Sequence, residues 1–400
     1  MIGADTFQPA PTAVIPSVSW GARRVESHAQ VRVVIVFGAG ASLANARHFR
    51  PTSRQWSHPP LDYTFFQKIR QLDSITVPGF LERYAQRLPS GSPFDPRAGE
   101  SRMEEFFRDV FYDYLEVGSS STLVSRAYLQ LVDLYTGVIR ETTNWMLDAG
   151  YTGGPIGRTI ALAADIADQV DLITFNHDLL IENEIYKRAR LRARWCLERG
   201  YGSFSADRKL LRTSSAAVFP AHSDKCDHVR PIQIHKLHGS LNWIVRIRGR
   251  EPTHSMLTGQ ATGYDVWVSQ RRAIPGALRI SSRGPGGRRS TGYTWPVIVP
   301  PVYAKQPLIR AFMPSVWSDA RAALEEADRV LFCGYSMPQI DVEAEKLFQR
   351  SIAANDGLPW AGLIDPAPEA ARRYAQVLGQ LPIRRFANVE SFLEQEQPWS

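Results

Sequence analysis

The segment VVIVFGAGAS, residues 33–42, decides the fold of this chain. Its five leading apolar residues predict a strand that is buried on both faces, as in a parallel sheet. Gly38, Ala39 and Gly40 then predict a tight turn whose backbone can approach a phosphate without a side chain in the way. Ser42 adds a hydroxyl donor at the start of the following helix. Glycine pairs after strands are also typical of plain turns, so this motif is weak by itself.

Three further segments share this layout of an apolar strand that ends in glycine or polar side chains. They are LITFNHD (172–178), IHKLHGSL (234–241) and VLFCGYSMP (330–338). The carboxyl ends of parallel strands meet at one edge of the sheet, where nucleotides bind. The chain therefore predicts an α/β fold with a Rossmann-like, doubly wound, mostly parallel sheet. Beyond residues 33–37, the predicted strands cover residues 172–175, 232–237, 297–299, 329–333 and 362–364.

A large helical insert subdomain is predicted between the first two strands, over about residues 61–170. One helix face is marked by apolar residues at helical spacing: Met103, Phe106, Phe107, Val110 and Tyr114. Further helices are predicted over residues 123–147 and 156–166. Since a simple crossover needs only about a dozen residues, this insert is interpreted as a subdomain or lid.

Two other stretches depart from the alternating pattern. Residues 1–30 have few apolar positions in register and predict a loosely ordered leader before a domain over residues 31–400. Residues 246–293 combine several arginines with a Gly-Pro-Gly-Gly run and predict a basic, flexible loop. This loop is either a contact for a partner or a solvated segment with no role.

The composition limits the class of protein. A chain of 400 residues, 44% of them hydrophobic, can bury a large core. Its three cysteines form no C-x-x-C pair, which favours a reducing, cytoplasmic location over a disulfide scaffold. Apolar runs fall short of the roughly 20 residues of a membrane helix, so no membrane partner is expected. The net charge of +7 makes nucleic acid a possible but secondary partner.

Polar residues at the predicted strand ends are the candidate catalytic groups. Asn176 and Asp178 close the second strand, although an aspartate there is equally typical of a helix N-cap. His238 follows a strand and directly precedes Gly239, which would leave its ring unobstructed. Histidine is the side chain best suited to accept a proton near neutral pH. A lone histidine is nevertheless more often structural.

The last strand ends supply candidate groups for the other half of a dinucleotide. Backbone amides near Gly334 and Ser336 can bind a phosphate, and Asp365 suits the hydroxyls of a ribose. An ordinary turn explains each of these features equally well. The segment VPPVYAK, residues 299–305, suggests no role beyond a shaped turn.

In their order along the chain and in their residues, the four segments resemble the motifs of the sirtuin-like family. In that family a GAG-x-S turn, a T-x-N-x-D segment and an H-G pair surround the nicotinamide ribose. The resemblance implies that NAD is the substrate, that Asn176 orients the ribose or a water, and that Asp178 holds the nicotinamide carboxamide. It selects His238 over His235 as the general base, because only His238 precedes glycine. No metal is expected.

The chain also departs from the deacetylases of that family. Those enzymes carry a zinc ribbon built from two C-x-x-C pairs, which three scattered cysteines cannot supply. Phe175 stands where they have glutamine, and His177 where they have an aliphatic residue. The chain is more similar to the sirtuin-like NAD hydrolases of bacterial anti-phage defence, in the branch that lacks a zinc ribbon.

The resemblance to that branch implies an NAD hydrolase that defends the cell by NAD depletion. Chains of this type are similar to those paired with a HerA-type ATPase, so a homo-oligomer or such a partner is expected by analogy. Two alternatives remain open at this point, an NAD-dependent protein deacylase and a non-catalytic module associated with nucleic acid.

Overall fold

Strands and helices alternate along the chain in the computed structural model. It describes residues 30–49, 58–96, 101–118, 120–206, 209–211, 231–247, 252–260, 266–269, 279–283, 289–302, 305–395 and 399. Residues 31–400 belong to one compact unit. The predicted leader lies outside the described residues except for Gln30.

The strands and helices are numbered here in chain order. The strands are β1 (Arg32–Phe37), β2 (Gln169–Thr174), β3 (Lys209–Leu211), β4 (Ile232–Lys236), β5 (Gly239–Ile247), β6 (Val266–Ser269), β7 (Arg279–Arg283), β8 (Arg289–Ile298), β9 (Arg329–Cys333), β10 (Ala361–Ile364) and β11 (Ile383–Phe386). The helices are α1 (Ala39–Phe49), α2 (Phe65–Gln71), α3 (Gly79–Ala85), α4 (Met103–Val117), α5 (Thr122–Asp148), α6 (Pro155–Ile166), α7 (Leu180–Lys187), α8 (Ala189–Arg192), α9 (Ser203–Ala206), α10 (His254–Leu257), α11 (Gln306–Phe312), α12 (Pro314–Glu325), α13 (Val342–Ala353), α14 (Pro368–Leu378) and α15 (Val389–Leu393). A short 3-10 turn covers Asp62–Thr64.

Six strands form a fully parallel sheet in the order β11-β10-β9-β1-β2-β4. Counted along the chain, this is the 3-2-1-4-5-6 strand order of dinucleotide-binding folds. The apolar run that predicted β1 is explained by its central position in the sheet, where every residue from Val33 to Phe37 is 0% exposed. The predicted Rossmann-like α/β class is confirmed.

The chain reverses direction across the sheet beside β1. From β1 it continues outward to β2 and β4, and it later returns to the other side of β1 to form β9 and β10. Ligands of open parallel sheets bind in the crevice at such a reversal, beyond the carboxyl ends of the strands. Gly38 follows β1 and Gly334 follows β9, so the two glycine turns lie at this point.

The helical insert contains α2 to α6, and its three longest helices lie where the sequence predicts them. The buried face of α4 includes the predicted residues Met103, Phe106, Phe107, Val110 and Tyr114. The Ser121 side chain caps α5, and Pro155 opens α6, which are favoured residues for helix starts. Although α5 spans 27 residues, no helix in the described part of the chain is long and apolar enough to cross a bilayer.

A second, five-stranded sheet with the order β3-β6-β5-β8-β7 is the main departure from prediction. Its neighbours pair antiparallel, except β3 and β6. The predicted flexible loop over residues 246–293 contains β6, β7 and the first half of β8, so that prediction is wrong for these residues. The residues 284–288 between β7 and β8 lie outside the described part of the chain.

The composition of this region concealed its strands. Arginine and glycine dominate the count, yet β8 also contains threonine, tyrosine, tryptophan, valine and isoleucine, which favour strands. The predicted strand over residues 297–299 is the end of β8, where Ile298 pairs with Gly239. It therefore belongs to the antiparallel sheet and not to the parallel one.

Gly38 provides a test of the contact between the two glycine turns. A Cβ at this position would lie 2.5 Å from Tyr335 Cα and 2.6 Å from the Gly334 carbonyl oxygen. We expect Gly38→Ala to lower the free energy of unfolding by roughly 1–3 kcal/mol through overpacking, measured by chemical denaturation. Gly79→Ala is the matched control, because no atom lies within 4 Å of its added carbon. Equal stability of the two variants would contradict the described contact.

Candidate active site

A chain of hydrogen bonds joins the predicted residues that follow β1 and β2. Asn176 Nδ2 donates to the Gly38 carbonyl oxygen over 2.8 Å and to Ser42 Oγ over 2.9 Å. Ser42 Oγ in turn donates to Asp178 Oδ2 over 2.7 Å. The structure thus brings Gly38, Ser42, Asn176 and Asp178 together at the carboxyl edge of the parallel sheet, as their positions after neighbouring strands predict.

Asp178 also supports the start of α7. Its Oδ1 accepts a hydrogen bond from the Leu180 amide over 3.0 Å, while Oδ2 accepts from Ser42. One carboxylate oxygen of Asp178 therefore acts as the helix cap that the sequence offered as an alternative, while the other binds Ser42. In this structure the whole carboxylate is engaged by the protein.

The glycine turn after β1 packs against the turn after β9. The amides of Gly38, Gly40 and Ala41 donate to the carbonyl oxygens of Cys333, Gly334 and Gly38, over 3.1, 2.9 and 3.0 Å. Gly334 has a φ of +63°, and a Cβ there would lie 2.3 Å from the Ala41 amide nitrogen.

This packing changes the reason for the glycines. The sequence predicts that they keep the backbone open for a pyrophosphate. In the structure they allow two backbone turns to touch, and the amides of Gly38 and Gly40 donate to backbone carbonyls. Ala39, between them, is exposed at the start of α1.

His238 lies in the short connection between β4 and β5, where the two sheets meet. Its ring packs edge-on against Phe175 at 5.1 Å and lies 6.2 Å from the ring of His177. Its Nε2 is 2.9 Å from Lys305 Nζ and 3.3 Å from Asp341 Oδ2. The predicted base is therefore buried inside a cluster of charged groups.

Asn176 and His238 follow two paired strands, since Thr174 of β2 lies opposite Lys236 of β4. His177 links the two positions, because it is the next residue after Asn176 and its ring faces that of His238. The two predicted catalytic residues thus lie at the same edge of one sheet.

Burial and charge set the protonation of this cluster. Burial lowers the pKa of His238, and the Lys305 ammonium lowers it further, while Asp341 opposes both. Burial would favour the neutral acid of Asp341, but the positive charge of Lys305 and the contact with His238 hold the pKa of this carboxyl well below its usual range. Burial also lowers the pKa of His177 well below its usual value. At neutral pH the cluster therefore holds neutral imidazoles beside an ion pair.

Asp341 is fixed by groups from several elements. Tyr335, just after β9, donates from its hydroxyl to Oδ2 over 2.8 Å, and the Ala344 amide donates to Oδ1 over 3.3 Å. The ring of Tyr335 stacks on Phe175 at 4.0 Å with an interplanar angle of 9°. Because Tyr335 directly follows Gly334, the turn after β9 also positions the partner of His238.

A second buried ion pair supports the segment after β2. Lys236 Nζ donates to the Asp178 carbonyl oxygen and to Glu182 Oε1, the latter over 3.1 Å. Tyr201 donates to the same Glu182 oxygen over 2.9 Å. Both members of the pair are 0% exposed, so each charge needs the other. This pair ties the start of α7 to the end of β4.

The helical insert contributes two residues to the surroundings of the site. Tyr135 of α5 packs edge-on against His177 at 5.5 Å. Burial, with the charges of Asp62 and Asp341, raises the pKa of Glu104 on α4 to about 7, although Lys305 and Arg102 oppose this. The insert therefore places a partly buried carboxyl within the electrostatic reach of Asp341 and Lys305.

The candidates for the adenosine half of a dinucleotide lie on the other side of β1. Gly334 and Asp365 end β9 and β10, and the Gly334 amide donates to the Ile364 carbonyl oxygen over 3.0 Å. Asp365 Oδ1 accepts from the Ala367 amide over 2.8 Å, as in an ordinary turn, while Ser336 is exposed.

Lys305, Asp341 and Glu104 were missed by the sequence reasoning. The VPPVYAK segment ends at Lys305 but gave no reason for a lysine there. In the sequence, Asp341 looks like the N-cap of a helix. It does cap α13, since the Ala344 amide donates to its side chain. Glu104 looks like an ordinary acidic residue in the first turn of a helix. Lys305 and Asp341 gain a chemical role only because both contact His238, and Glu104 gains one only through its electrostatic interaction with that pair.

Buried thiols do not extend this cluster. Cys196 and Cys333 are buried and free, and Cys226 lies outside the described residues. Within the described ranges, no three His, Cys, Asp or Glu side chains are grouped so that they could hold a metal ion.

Comparison with known proteins gives distant structural similarity only. No protein-family model and no curated protein sequence matches this chain. It is similar to a solved structure from work on the mechanism and regulation of Sir2 enzymes, with 11% identity, coverage of 91% of this chain and 89% of that chain, and a TM-score of 0.36. It is also similar to a Sir2 mutant with a p53 peptide and NAD, with 9% identity, coverage of 92% and 93%, and a TM-score of 0.36. This similarity is too low to assign the chain to a family.

Glu104 provides a pH-dependent test of the buried environment. Its pKa in the folded protein, about 7, exceeds its ordinary value of 4.5, so the folded state retains a proton that the unfolded chain releases. The free energy of unfolding therefore falls as the pH rises from about 4.5 to 7, because the folded protein must then ionise Glu104 in its buried surroundings. We expect Glu104→Gln, which stays neutral, to gain roughly 1–3 kcal/mol over the wild type between pH 4 and pH 8.

The measurement is the free energy of unfolding of both proteins at a series of pH values. Glu105→Gln is the control, because it removes an acidic residue from the exposed side of the same helical turn. Its difference from the wild type should stay within about 0.5 kcal/mol at every pH. A Glu104→Gln difference that does not change with pH would show that this carboxyl is solvated.

Proposed function

We propose that this protein is an NAD hydrolase, which cleaves NAD to nicotinamide and ADP-ribose. The observation that carries the proposal is the convergence of Asn176, Ser42 and Asp178 with a neutral, buried His238 at the reversal point of the parallel sheet. Dinucleotides bind at this point in such sheets. An amide, a hydroxyl and a neutral imidazole are the groups needed to orient a ribose and to accept a proton.

The proposed reaction breaks the bond between the nicotinamide ring nitrogen and C1′ of the ribose. The bonding electrons leave with nicotinamide, which becomes neutral, while C1′ gains oxocarbenium character. A water oxygen then bonds to C1′, and His238 accepts a proton from that water. This balances the reaction, because the products are nicotinamide, ADP-ribose and one proton.

Asn176 and its neighbours supply the positioning. The Asn176 amide nitrogen already donates to Gly38 and Ser42, so its carbonyl oxygen is the atom that can accept from a ribose hydroxyl or the attacking water. The stacked rings of Phe175 and Tyr335 lie beside His238 and keep bulk water away from it. Asp178 would hold the nicotinamide carboxamide only if it gave up one of its present bonds.

We place the remaining NAD contacts at the ends of β1, β9 and β10. Gly38, Ala39 and Gly40 would face the phosphates, with Gly334 and Ser336 on the adenosine side and Asp365 near the adenosine ribose. The support for this assignment is the position of these residues at adjoining strand ends. Because several of the turn amides already donate to carbonyls, phosphate binding would need a local change in the turn.

The proposed biological role is anti-phage defence through NAD depletion in the cytoplasm. Its support is the resemblance of the sequence motifs described above. An enzyme that destroys NAD must be restrained in a healthy cell, so a homo-oligomer or an HerA-type ATPase partner that controls the site is part of this proposal. The burial of His238 is compatible with such restraint.

Purified protein incubated with NAD should release nicotinamide and ADP-ribose, followed by chromatography. We expect His238→Ala and Asn176→Ala to lower turnover at least 100-fold, because they remove the base and the positioning amide. His48→Ala is the control, since this exposed histidine lies at the far end of α1. Thermal denaturation of each variant should show that it is folded.

Three outcomes would contradict this assignment. Equal turnover in the wild type and in His238→Ala would exclude the histidine as the base. Transfer of an acetyl group from a peptide to ADP-ribose would identify a deacylase. Affinity for DNA that falls steeply with salt, together with no NAD turnover, would indicate a nucleic-acid-associated module.

The defence role predicts a change inside infected cells. Cells that express the wild-type protein should lose NAD after phage infection, whereas cells that express His238→Ala should keep it. Cellular NAD and phage plating efficiency are the measurements. Normal NAD with strong protection would show that defence does not proceed through NAD depletion.

A further inference from the structure

We propose that Lys305 and Asp341 are positioning residues that select between the two neutral tautomers of His238. The catalytic consequence of this inference rests on the proposed NAD hydrolysis. The tautomer itself can be measured without NAD.

Both residues compete for one ring nitrogen. Lys305 Nζ lies 2.9 Å from His238 Nε2, and Asp341 Oδ2 lies 3.3 Å from the same atom. The three side chains are 1%, 3% and 9% exposed for Lys305, Asp341 and His238, so water does not replace either contact. Each contact demands a different proton position on the ring.

The proton position that each contact requires follows from whether the partner of His238 can donate or accept a hydrogen bond. An ammonium group can only donate, so a bond from Lys305 requires an unprotonated Nε2, and the neutral ring then carries its hydrogen on Nδ1. A carboxylate can only accept, so a bond to Asp341 requires a hydrogen on Nε2 and leaves the lone pair on Nδ1. The shorter distance to Lys305 assigns the Nδ1–H tautomer to this structure.

This assignment has a direct consequence for a base. Lys305 and Asp341 occupy the Nε2 side of the ring, so Nδ1 is the nitrogen that can accept a proton from a substrate or water. Only the tautomer bonded to Asp341 has a lone pair at Nδ1. By this assignment, His238 is held in the form that cannot act as a base.

Conversion needs only a small movement of Lys305. Its ammonium already contacts Asp341 Oδ1 at 2.5 Å, so it can withdraw from His238 without losing its ion pair. Nε2 takes a proton from the adjacent Lys305 ammonium, the Nδ1 proton passes to water on the other side of the ring, and water returns a proton to the withdrawn Lys305 amine, so the ring stays neutral and the ion pair keeps its charges. Tyr335 and Ala344 continue to hold Asp341 in both forms.

The charged and titratable groups around His238 act in opposite directions. Lys305 lowers the pKa of His238, and Asp341 raises it. His177 lies beside the ring from the β2 side, while Tyr335 and Glu104 interact electrostatically with Asp341. Removal of the Lys305 charge should therefore raise the pKa of His238, and neutralisation of Asp341 should lower it.

The test is nitrogen NMR of the full chain labelled with 15N-histidine, in which protonated and unprotonated ring nitrogens have different chemical shifts. The His238 signals are those that His238→Gln removes. At neutral pH we expect the wild type to show a protonated Nδ1 and an unprotonated Nε2. Lys305→Met should reverse this pattern, and Lys305→Arg, which keeps the positive charge, should preserve it.

A protonated Nε2 in the wild type would overturn the inference, and this measurement requires no variant other than the one used for assignment. An unchanged tautomer in folded Lys305→Met would overturn it as well. The expected tautomers without any NAD turnover would refute the proposed function and still support tautomer selection, so the two failures are distinguishable.

Steady-state kinetics provide the second readout. We expect Lys305→Met to raise kcat at neutral pH and to move the acidic limb of the pH profile to higher pH. Asp341→Asn should lower kcat about 10- to 100-fold and move that limb to lower pH, as loss of a carboxylate partner of histidine does. If the acidic limb moved in the same direction in Lys305→Met and in Asp341→Asn, the opposite roles of the two residues would be contradicted.

Discussion

The contact between two backbone turns is the constraint on which the rest of the site depends. Gly40 donates to Gly334 across the reversal point of the sheet, with no side chain between the two turns. On one side, the Gly38 carbonyl oxygen receives Asn176, which binds Ser42. On the other side, Tyr335 extends from Gly334 to Asp341. Both halves of the candidate site are thus positioned by one close approach of main chain.

Buried charge is the second organising feature. Lys236 with Glu182 and Lys305 with Asp341 are two ion pairs withdrawn from water, and removal of one partner would leave an uncompensated charge. The first pair joins α7 to β4 and fixes the backbone of Asp178. The second pair, Lys305 with Asp341, contacts the Nε2 side of the His238 imidazole. The same low-dielectric surroundings that make these pairs mutually dependent keep the two nearby histidines neutral.

Prediction from the chain succeeded where local pattern and structure coincide. The apolar run of β1 is buried because it is the central strand, and the helical stripe of α4 faces the core as its spacing indicates. It failed over residues 246–293, where β5 pairs with β8 across a long stretch of chain and β7 pairs with β8 despite its arginines. Cross-strand pairing satisfies backbone groups in a way that a count of arginine and glycine does not reveal.

The amino-acid sequence by itself determined the parallel sheet, the helical insert and the placement of Asn176 and His238 at strand ends, because these features follow from periodicity and from residues adjacent in the chain. Only the tertiary structure decided what each side chain does. It turned the glycines from an opening for a ligand into a packing contact, and it brought Lys305 and Asp341 to one nitrogen of His238. The physical reason is that protonation and hydrogen bonding depend on distances of about 3 Å between residues far apart in the chain, and no local pattern encodes those distances.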